Sequence, residues 1–411
     1  MRLLYDLGIA LISAYINIGS LFNKKLKLLK EGRAEVWGKL KQNMPEGPVV
    51  WIHAASLGEF EQGRPLIEAI KKKYPEKKIV LTFFSPSGYE VRKNFDLADF
   101  VLYLPADTAF NARRFIDTLK PEMAFFVKYE FWYHFIKELN SRDIPVYGVS
   151  VIFRDKQPFF RWYGHWFRNI LRYFKHFYLQ DEKSAEMLES LGLKNYTVAG
   201  DTRFDRVAEI AASASEIDIA KQFSEGYRTI VAGSSWPPDE KILAGYINNS
   251  PDDVKMIIAP HVIAESHIEQ IEALLKVPSF RITDPPGKPQ DFKVMIVNTI
   301  GMLSAIYRYG QIAYIGGGFG VGIHNTLEAA VYGIPVLFGP NYKRFKEACD
   351  LIEKGGGFEI RKFKDFKELV DKMLNDPVFL NDCGKKAGDY VKSMCGATEI
   401  IMKDVFDVEK Y

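Results

Sequence analysis

Two glutamates stand where a parallel α/β chain places its chemistry. The run Val49–His53 reads as a strand and passes through Ala54-Ala55-Ser56-Leu57-Gly58 to Glu59, in the first turn of a helix. The run Met123–Lys128 reads as a second strand and passes through Tyr129 to Glu130-Phe131-Trp132, again at a strand-to-helix junction. In open parallel sheets ligands bind at the carboxyl ends of strands, so both carboxylates occupy positions that can carry a site. Such a carboxylate can take a proton from a sugar hydroxyl, or it can only complement the helix dipole, an effect of about 0.3–1 kcal/mol, and spacing leaves both readings open for Glu59. The same choice holds for Glu130. Paired carboxylates are the usual acid/base equipment at a glycosidic centre, while a first-turn Glu is often a cap. His53 by itself reads as a packed strand-end residue.

The second half of the chain offers anion-binding loops. Gly233-Ser234-Ser235-Trp236-Pro237-Pro238 follows a strand and enters a helix, where backbone N–H groups can hold a phosphate or simply make a β–α turn. The run from Gly316 to Asn325, including Gly317 and Gly318, is half glycine, follows a strand and opens into a helix, and its side-chain-free backbone allows close approach of an anion. It lacks the Gly-Lys-Ser/Thr ending of a Walker loop, and the dinucleotide fingerprint fails for want of the first-strand position and a spaced acid. Glu328 follows in Asn325-Thr326-Leu327-Glu328, one turn inside that end and within reach of ribose hydroxyls. No Asp-x-Asp occurs and no histidines have metal-ligand spacing, so a metal is not expected and no cofactor is implied. No Gly-x-Ser-x-Gly elbow supports a serine nucleophile.

The elements that must position these residues alternate along the chain. Strands are expected at Val49–His53, Ile79–Phe84, Phe100–Leu104, Met123–Lys128, Val146–Val151, Phe177–Gln180 and Thr197–Ala199, with helix-length stretches between them. After a polar, low-aromatic stretch the alternation restarts at Thr229–Ala232, Lys255–Ala259, Val294–Asn298, Ile312–Ile315 and Pro335–Phe338. The 411 residues exceed one ordinary core. The expected organisation is therefore a helix at 1–30, a first Rossmann-like domain at 31–204, a linker with some helix at 205–226, a second Rossmann-like domain at 227–376 and a helical tail at 377–411, with a cleft between the domains. The formal charge of +3 is too weak to argue for nucleic acid as a partner. Three cysteines without C-x-x-C spacing fit a reducing cytoplasm.

The N-terminus has its own character. Leu3 to Phe22 is largely apolar, interrupted by Asp6 and Asn17, and is followed by Lys24, Lys25, Lys27 and Lys30. That pattern suits a helix spanning the bilayer or lying in its interface, with the lysines and the body of the protein on the cytoplasmic side. A secretory signal fits less well, since only Arg2 precedes the apolar run and no A-x-A site closes it. A helix packed on its own domain is the remaining reading. The location expected from the pattern is a membrane surface, with the body of the protein facing the cytoplasm.

Five segments in order, HAASLGE (His53–Glu59), KYEFW (Lys128–Trp132), AGDTRFD (Ala199–Asp205), GSSWPPDE (Gly233–Glu240) and GGGFGVGIHNTLEAAVYGIPVLFGP (Gly316–Pro340), resemble the 3-deoxy-D-manno-octulosonic acid (Kdo) transferases. The resemblance implies a GT-B fold, in which two Rossmann-like domains face across a cleft, and an inverting, metal-independent transfer of Kdo from CMP-Kdo to the tetraacyl disaccharide of a lipid A precursor in lipopolysaccharide synthesis. It implies Glu59 as general base, Glu130 as an assistant to the transition state, and Arg203, where the family has Lys, as a cation offsetting the departing phosphate. It also implies CMP contacts at Pro260 and His261, at the Ile300-Gly301-Met302 turn and at Asn325 to Glu328. Two charged contacts of the family are missing here: its Pro-Arg-His stands as Pro260-His261, and its Gly-Glu-Leu as Gly301-Met302-Leu303. The rival readings are another GT-B enzyme or epimerase using a UDP-sugar, and a non-catalytic sugar-nucleotide-binding protein.

Overall fold

The computed structural model describes residues 1–42 and 47–407 and divides into two units, Met1–Arg206 with Cys395–Tyr411, and Val207–Met394. Each is built on a seven-stranded parallel sheet. The first unit contains β1 (Val49–Ala54), β2 (Lys78–Phe83), β3 (Phe100–Tyr103), β4 (Pro121–Val127), β5 (Val146–Val151), β6 (His176–Leu179) and β7 (Tyr196–Val198), in the order β3-β2-β1-β4-β5-β6-β7. The second contains β8 (Arg228–Ser235), β9 (Val254–Pro260), β10 (Ser279–Arg281), β11 (Val294–Ile296), β12 (Ile312–Ile315), β13 (Val336–Phe338) and β14 (Gly357–Glu359), in the order β10-β11-β9-β8-β12-β13-β14. The fold class is GT-B, with two Rossmann-like sheets covered by helices.

Burial on both faces explains why the central strands read as continuous apolar runs. All six residues of β1 and all seven of β9 are buried. In the first unit Trp51 packs its ring against Phe115, Phe126 and Phe135 at centroid distances of 5.1–5.6 Å, and its Nε1 donates to Thr82 Oγ1 at 2.9 Å. The short edge strands β10 and β14 have no alternating apolar pattern and were not expected from the sequence.

The stretch 205–226, expected to be a linker, is occupied by the helices Arg203–Ser213 and Asp218–Ser224. The change of unit falls inside the first of these helices, after Arg206. The helices at 377–411 divide as well. Pro377–Ser393 belongs to the second unit, while Ala397–Phe406 lies on the first, where Asp205 accepts from Gly396 N at 2.5 Å and Thr398 N at 2.7 Å and Phe406 stacks on Tyr74.

The N-terminus forms α1 (Arg2–Gly19) and α2 (Lys24–Gln42), bent by 116° between them, and among the described residues no single helix is long and apolar enough to cross a membrane. The polar interruption at Asp6 has a structural cause. Its carboxylate lies 2.6 Å from His134 Nε2, and next to it the Tyr5 hydroxyl donates to Asp107, which also accepts from the backbone of His134 and Phe135. These bonds fix the rotation of α1 on the first unit. They leave Leu3, Leu4, Leu7, Leu11, Tyr15 and Ile18 more than half exposed, on the side away from the buried Ile9 and Ile16.

Candidate active site

In the first sheet the strand order reverses between β1 and β4, the position at which doubly wound sheets open a crevice beyond the carboxyl ends of their strands. Glu59 follows β1 and Glu130 follows β4. The topology therefore brings both predicted carboxylates to one switch point.

Glu59 opens α3 (Leu57–Lys73) behind Ser56 as cap. Its Oε2 accepts from Ser56 N at 3.1 Å, while Oε1 accepts no hydrogen bond among the described residues. Capping and proton abstraction are thus compatible, with one oxygen for each. Burial, and then the negative charge of Glu130, push the Glu59 pKa above its ordinary 4.5, against the opposing pull of Lys128 and His53. A raised carboxylate is a stronger base in its ionised form.

Glu130 is held from two sides. Trp132 Nε1 donates to its Oε2 at 2.7 Å, and His53 Nε2 lies 3.1 Å from the same oxygen. With its proton on Nε2, His53 donates to Glu130 and accepts at Nδ1 from the Thr82 hydroxyl at 2.8 Å, which itself accepts from Trp51. His53 is wholly buried at the end of β1, so its ring cannot swing away. The sequence reading left it as packing, because the contact comes from the adjacent strand, 77 residues along the chain. Lys128, directly after β4, has a positive φ of 66°, a backbone strain that recurs at Ser150 near the end of β5 and at Ser234 near the end of β8.

Arg203 is clamped to Asp201. The guanidinium donates from Nε at 3.0 Å and from its terminal nitrogen at 2.8 Å to the Asp201 carboxylate, which also accepts from Gln62 at 2.8 Å. Arg203 holds the Asp201 pKa below the ordinary carboxylate range despite complete burial.

The second sheet reverses between β8 and β12, and the loops after these strands are Gly233–Trp236 and the glycine run. Here the sequence reading needs correction. Gly317 N–H donates to Asp239 Oδ2 at 2.9 Å and so is not available to a phosphate. Backbone packing dictates two of the glycines: a Cβ on Gly316 would lie 2.2 Å from Ser234 O, and one on Gly318 would lie 2.6 Å from Gly339. Gly233 likewise makes room for the Tyr307 hydroxyl, 1.9 Å from where its Cβ would be. Thr326 and Leu327 are completely buried, and Leu327 N donates to Asn325 Oδ1 at 3.1 Å.

Other residues do converge. Glu328 accepts from Asn325 Nδ2 at 3.0 Å and from Ser304 Oγ at 2.8 Å, and Ser304 ties the exposed Ile300-Gly301-Met302 turn to the Asn325–Glu328 segment. The His261 ring stacks on Trp236 at 4.6 Å and on His324 at 4.5 Å, and Trp236 Nε1 donates to His324 Nε2 at 3.1 Å. Burial lowers the pKa of both histidines, and in His324 the neighbouring His261 adds to it. Pro260 ends β9 just before this stack. Trp236 and His324 lie in the two loops that the sequence singles out, but their contacts with each other and with His261, and the part played by Ser304, were not legible because the partners come from different loops. Among the described residues no group of three or more His, Cys, Asp or Glu is placed to hold a metal ion.

Residues 26–206 match the family model described as 3-deoxy-D-manno-octulosonic-acid transferase (kdotransferase), ending where the first segment of the first unit ends and enclosing both glutamates. A 3-deoxy-D-manno-octulosonic acid transferase of Aquifex aeolicus is 29% identical over 331 residues, 79% of this chain and 84% of the relative. That of Rickettsia bellii is 26% identical over 391 residues, 91% of each. Over most of its length the chain resembles the Kdo transferases. By this likeness it is a glycosyltransferase, and its fold is shared more widely. A crystal structure of UDP-GlcNAc 2-epimerase from Neisseria meningitidis bound to UDP-GlcNAc aligns with a TM-score of 0.60 at 15% identity, over 88% of this chain and all of that one. This likeness speaks to architecture alone. The family model covers the carboxylate pair, and the relatives extend the match through the second unit.

Proposed function

We propose that this protein transfers Kdo from CMP-Kdo to a lipid A precursor of the tetraacyl disaccharide type, with inversion and without a metal. The observation that carries the reading is the pair Glu59 and Glu130 at the switch point of the unit that matches the family. Glu59 Oε1 takes the proton of the acceptor hydroxyl as that oxygen attacks the anomeric carbon; the bond from this carbon to the CMP phosphate breaks, and CMP leaves with the electron pair. Glu130, oriented by His53 and Trp132, keeps negative charge beside Glu59 and favours its protonated product state. The second unit is assigned the donor, with His261 and the Asn325–Glu328 segment toward CMP, and the first unit the acceptor. The exposed apolar face of α1 supports docking to the cytoplasmic face of the inner membrane, the source of a lipid acceptor. Incubation with CMP-Kdo and the tetraacyl precursor should give a product heavier by one or more Kdo residues. Absence of product, with UDP-sugars consumed instead, would overturn the reading.

Two measurements refine it. EDTA should leave the rate nearly unchanged; a loss that Mg²⁺ restores would contradict a mechanism in which carboxylates and backbone do the work. Glu328→Ala should weaken CMP affinity roughly tenfold or more, since one charge-assisted hydrogen bond is worth about 1.5–3 kcal/mol. Calorimetry with CMP checks this, and unchanged affinity would remove Glu328 from the donor site.

A further inference from the structure

Among the described residues Arg33 is a cation without a counter-ion. It stands on α2, donates from Nε to Leu104 O at 3.0 Å and lies over the Phe84 ring at 4.9 Å, and among the described residues no carboxylate pairs with it. Burial holds its pKa down to about 10. A charge withdrawn from water without a partner is destabilising, and an unpaired guanidinium retains a rigid fork of donors suited to phosphate. Beside it is a cavity of 200 Å³ lined by Ser13, Asn17, Lys30, Arg33, Trp37 and Asn111, among others. Lys30 is exposed and has no acidic partner among the described residues, and a third cation, Arg114, lies 4.1 Å over the Trp37 ring.

The position of the cavity limits what would occupy it. Ser13 and Asn17 belong to α1, whose opposite residues Leu4, Leu7, Leu11 and Ile18 form the exposed apolar face. On another side Arg33 covers Phe84, Phe84 stacks on Trp132 at 5.1 Å, and Trp132 donates to Glu130. One border therefore leads to an apolar surface and the other to the carboxylate pair.

We propose that this cavity receives a phosphate monoester carried by the lipid acceptor, with Arg33 and Lys30 pairing to its oxygens. The proposal rests on the lipid-acceptor reading and adds the residues that recognise the headgroup. A phosphate bound here would hold the lipid with its acyl chains along α1 and its sugar toward Glu59.

The test uses the full chain as wild type, Arg33→Gln and Lys30→Ala. Flotation compares phosphatidylcholine vesicles containing phosphatidic acid with vesicles of matched charge containing phosphatidylserine, each with and without inorganic phosphate. Each variant should bind the phosphatidic acid vesicles about tenfold more weakly, as for loss of one charge-assisted hydrogen bond, and the phosphatidylserine vesicles as wild type does. With the phosphorylated tetraacyl acceptor each should raise KM about tenfold at unchanged kcat, and with a dephosphorylated acceptor each should match wild type. Equal losses on both vesicle types would mean surface charge alone and overturn the proposal. So would displacement from vesicles by inorganic phosphate at the affinity of the lipid, which would make the cavity a free-phosphate site. A lowered melting temperature in Arg33→Gln with Lys30→Ala normal in every assay would reduce Arg33 to a structural role and also overturn it. Arg33-dependent binding to phosphatidic acid in a chain that transfers no Kdo would sink the proposed function while leaving the cavity assignment standing.

Discussion

Exchange of Glu59 for Gln is expected to lower turnover at least about a hundredfold, in line with general-base contributions, while CMP affinity and melting temperature stay near their wild-type values. The side-chain oxygen of Gln can still accept from Ser56 N, so the cap survives and the stability change should not exceed about 1 kcal/mol. What is lost is the basicity of the second oxygen, which is free of hydrogen bonds among the described residues. The pH profile of the wild-type enzyme supplies an independent reading. Glu59 must be ionised to act, and its pKa lies above the ordinary carboxylate range because of burial and then Glu130, so kcat/KM should fall as pH drops through that raised value. Glu130→Gln removes the like charge and should move this acid limb to lower pH, beside whatever it does to the maximal rate. A stable Glu59→Gln protein with near-normal turnover, or an acid limb unmoved by Glu130→Gln, would take Glu59 out of the mechanism and leave Glu130 as the next candidate.

The two glutamates were legible in the sequence because their meaning depends on local pattern: a strand, a short loop, a helix start. That pattern also located the central strands of both sheets to within three residues. What was not legible arises from contacts between distant segments. His53 looked like packing until β4 placed Glu130 against it. The glycine run looked like an anion cradle, but two of its glycines are required by backbone passing at Ser234 and Gly339, and Asp239 occupies the Gly317 N–H. Glycine in a sequence signals close approach without naming what approaches. Asp6 looked like a flaw in an apolar segment, whereas it pairs with His134 and sets which face of α1 is exposed.

That orientation leads to the second large effect. Leu4, Leu7 and Leu11 are 62%, 55% and 62% exposed on one side of α1, an expense in water unless the face meets a lipid surface. Changing all three to Gln should abolish sedimentation with vesicles containing anionic lipid. Fully burying a leucine is worth about 1.5–3 kcal/mol, so losing three costs over about 4 kcal/mol, roughly a thousandfold in partitioning. The fold should be unaffected, since exposed positions free of special contacts change stability by about 0.5 kcal/mol or less. Substitution is a cleaner test than removal of residues 1–30, which would strip Asp107 and His134 of Tyr5 and Asp6. Salt separates the apolar contribution from that of Lys24, Lys25 and Lys27, each worth about 1 kcal/mol near an anionic surface and screened within a Debye length. Wild type should therefore lose part of its binding at high salt and keep the part carried by the leucines. CMP binding by the triple variant should equal that of wild type, because every changed side chain belongs to the first unit. If the triple variant still sediments with vesicles at high salt as wild type does, the apolar face of α1 is not what holds this protein to a membrane.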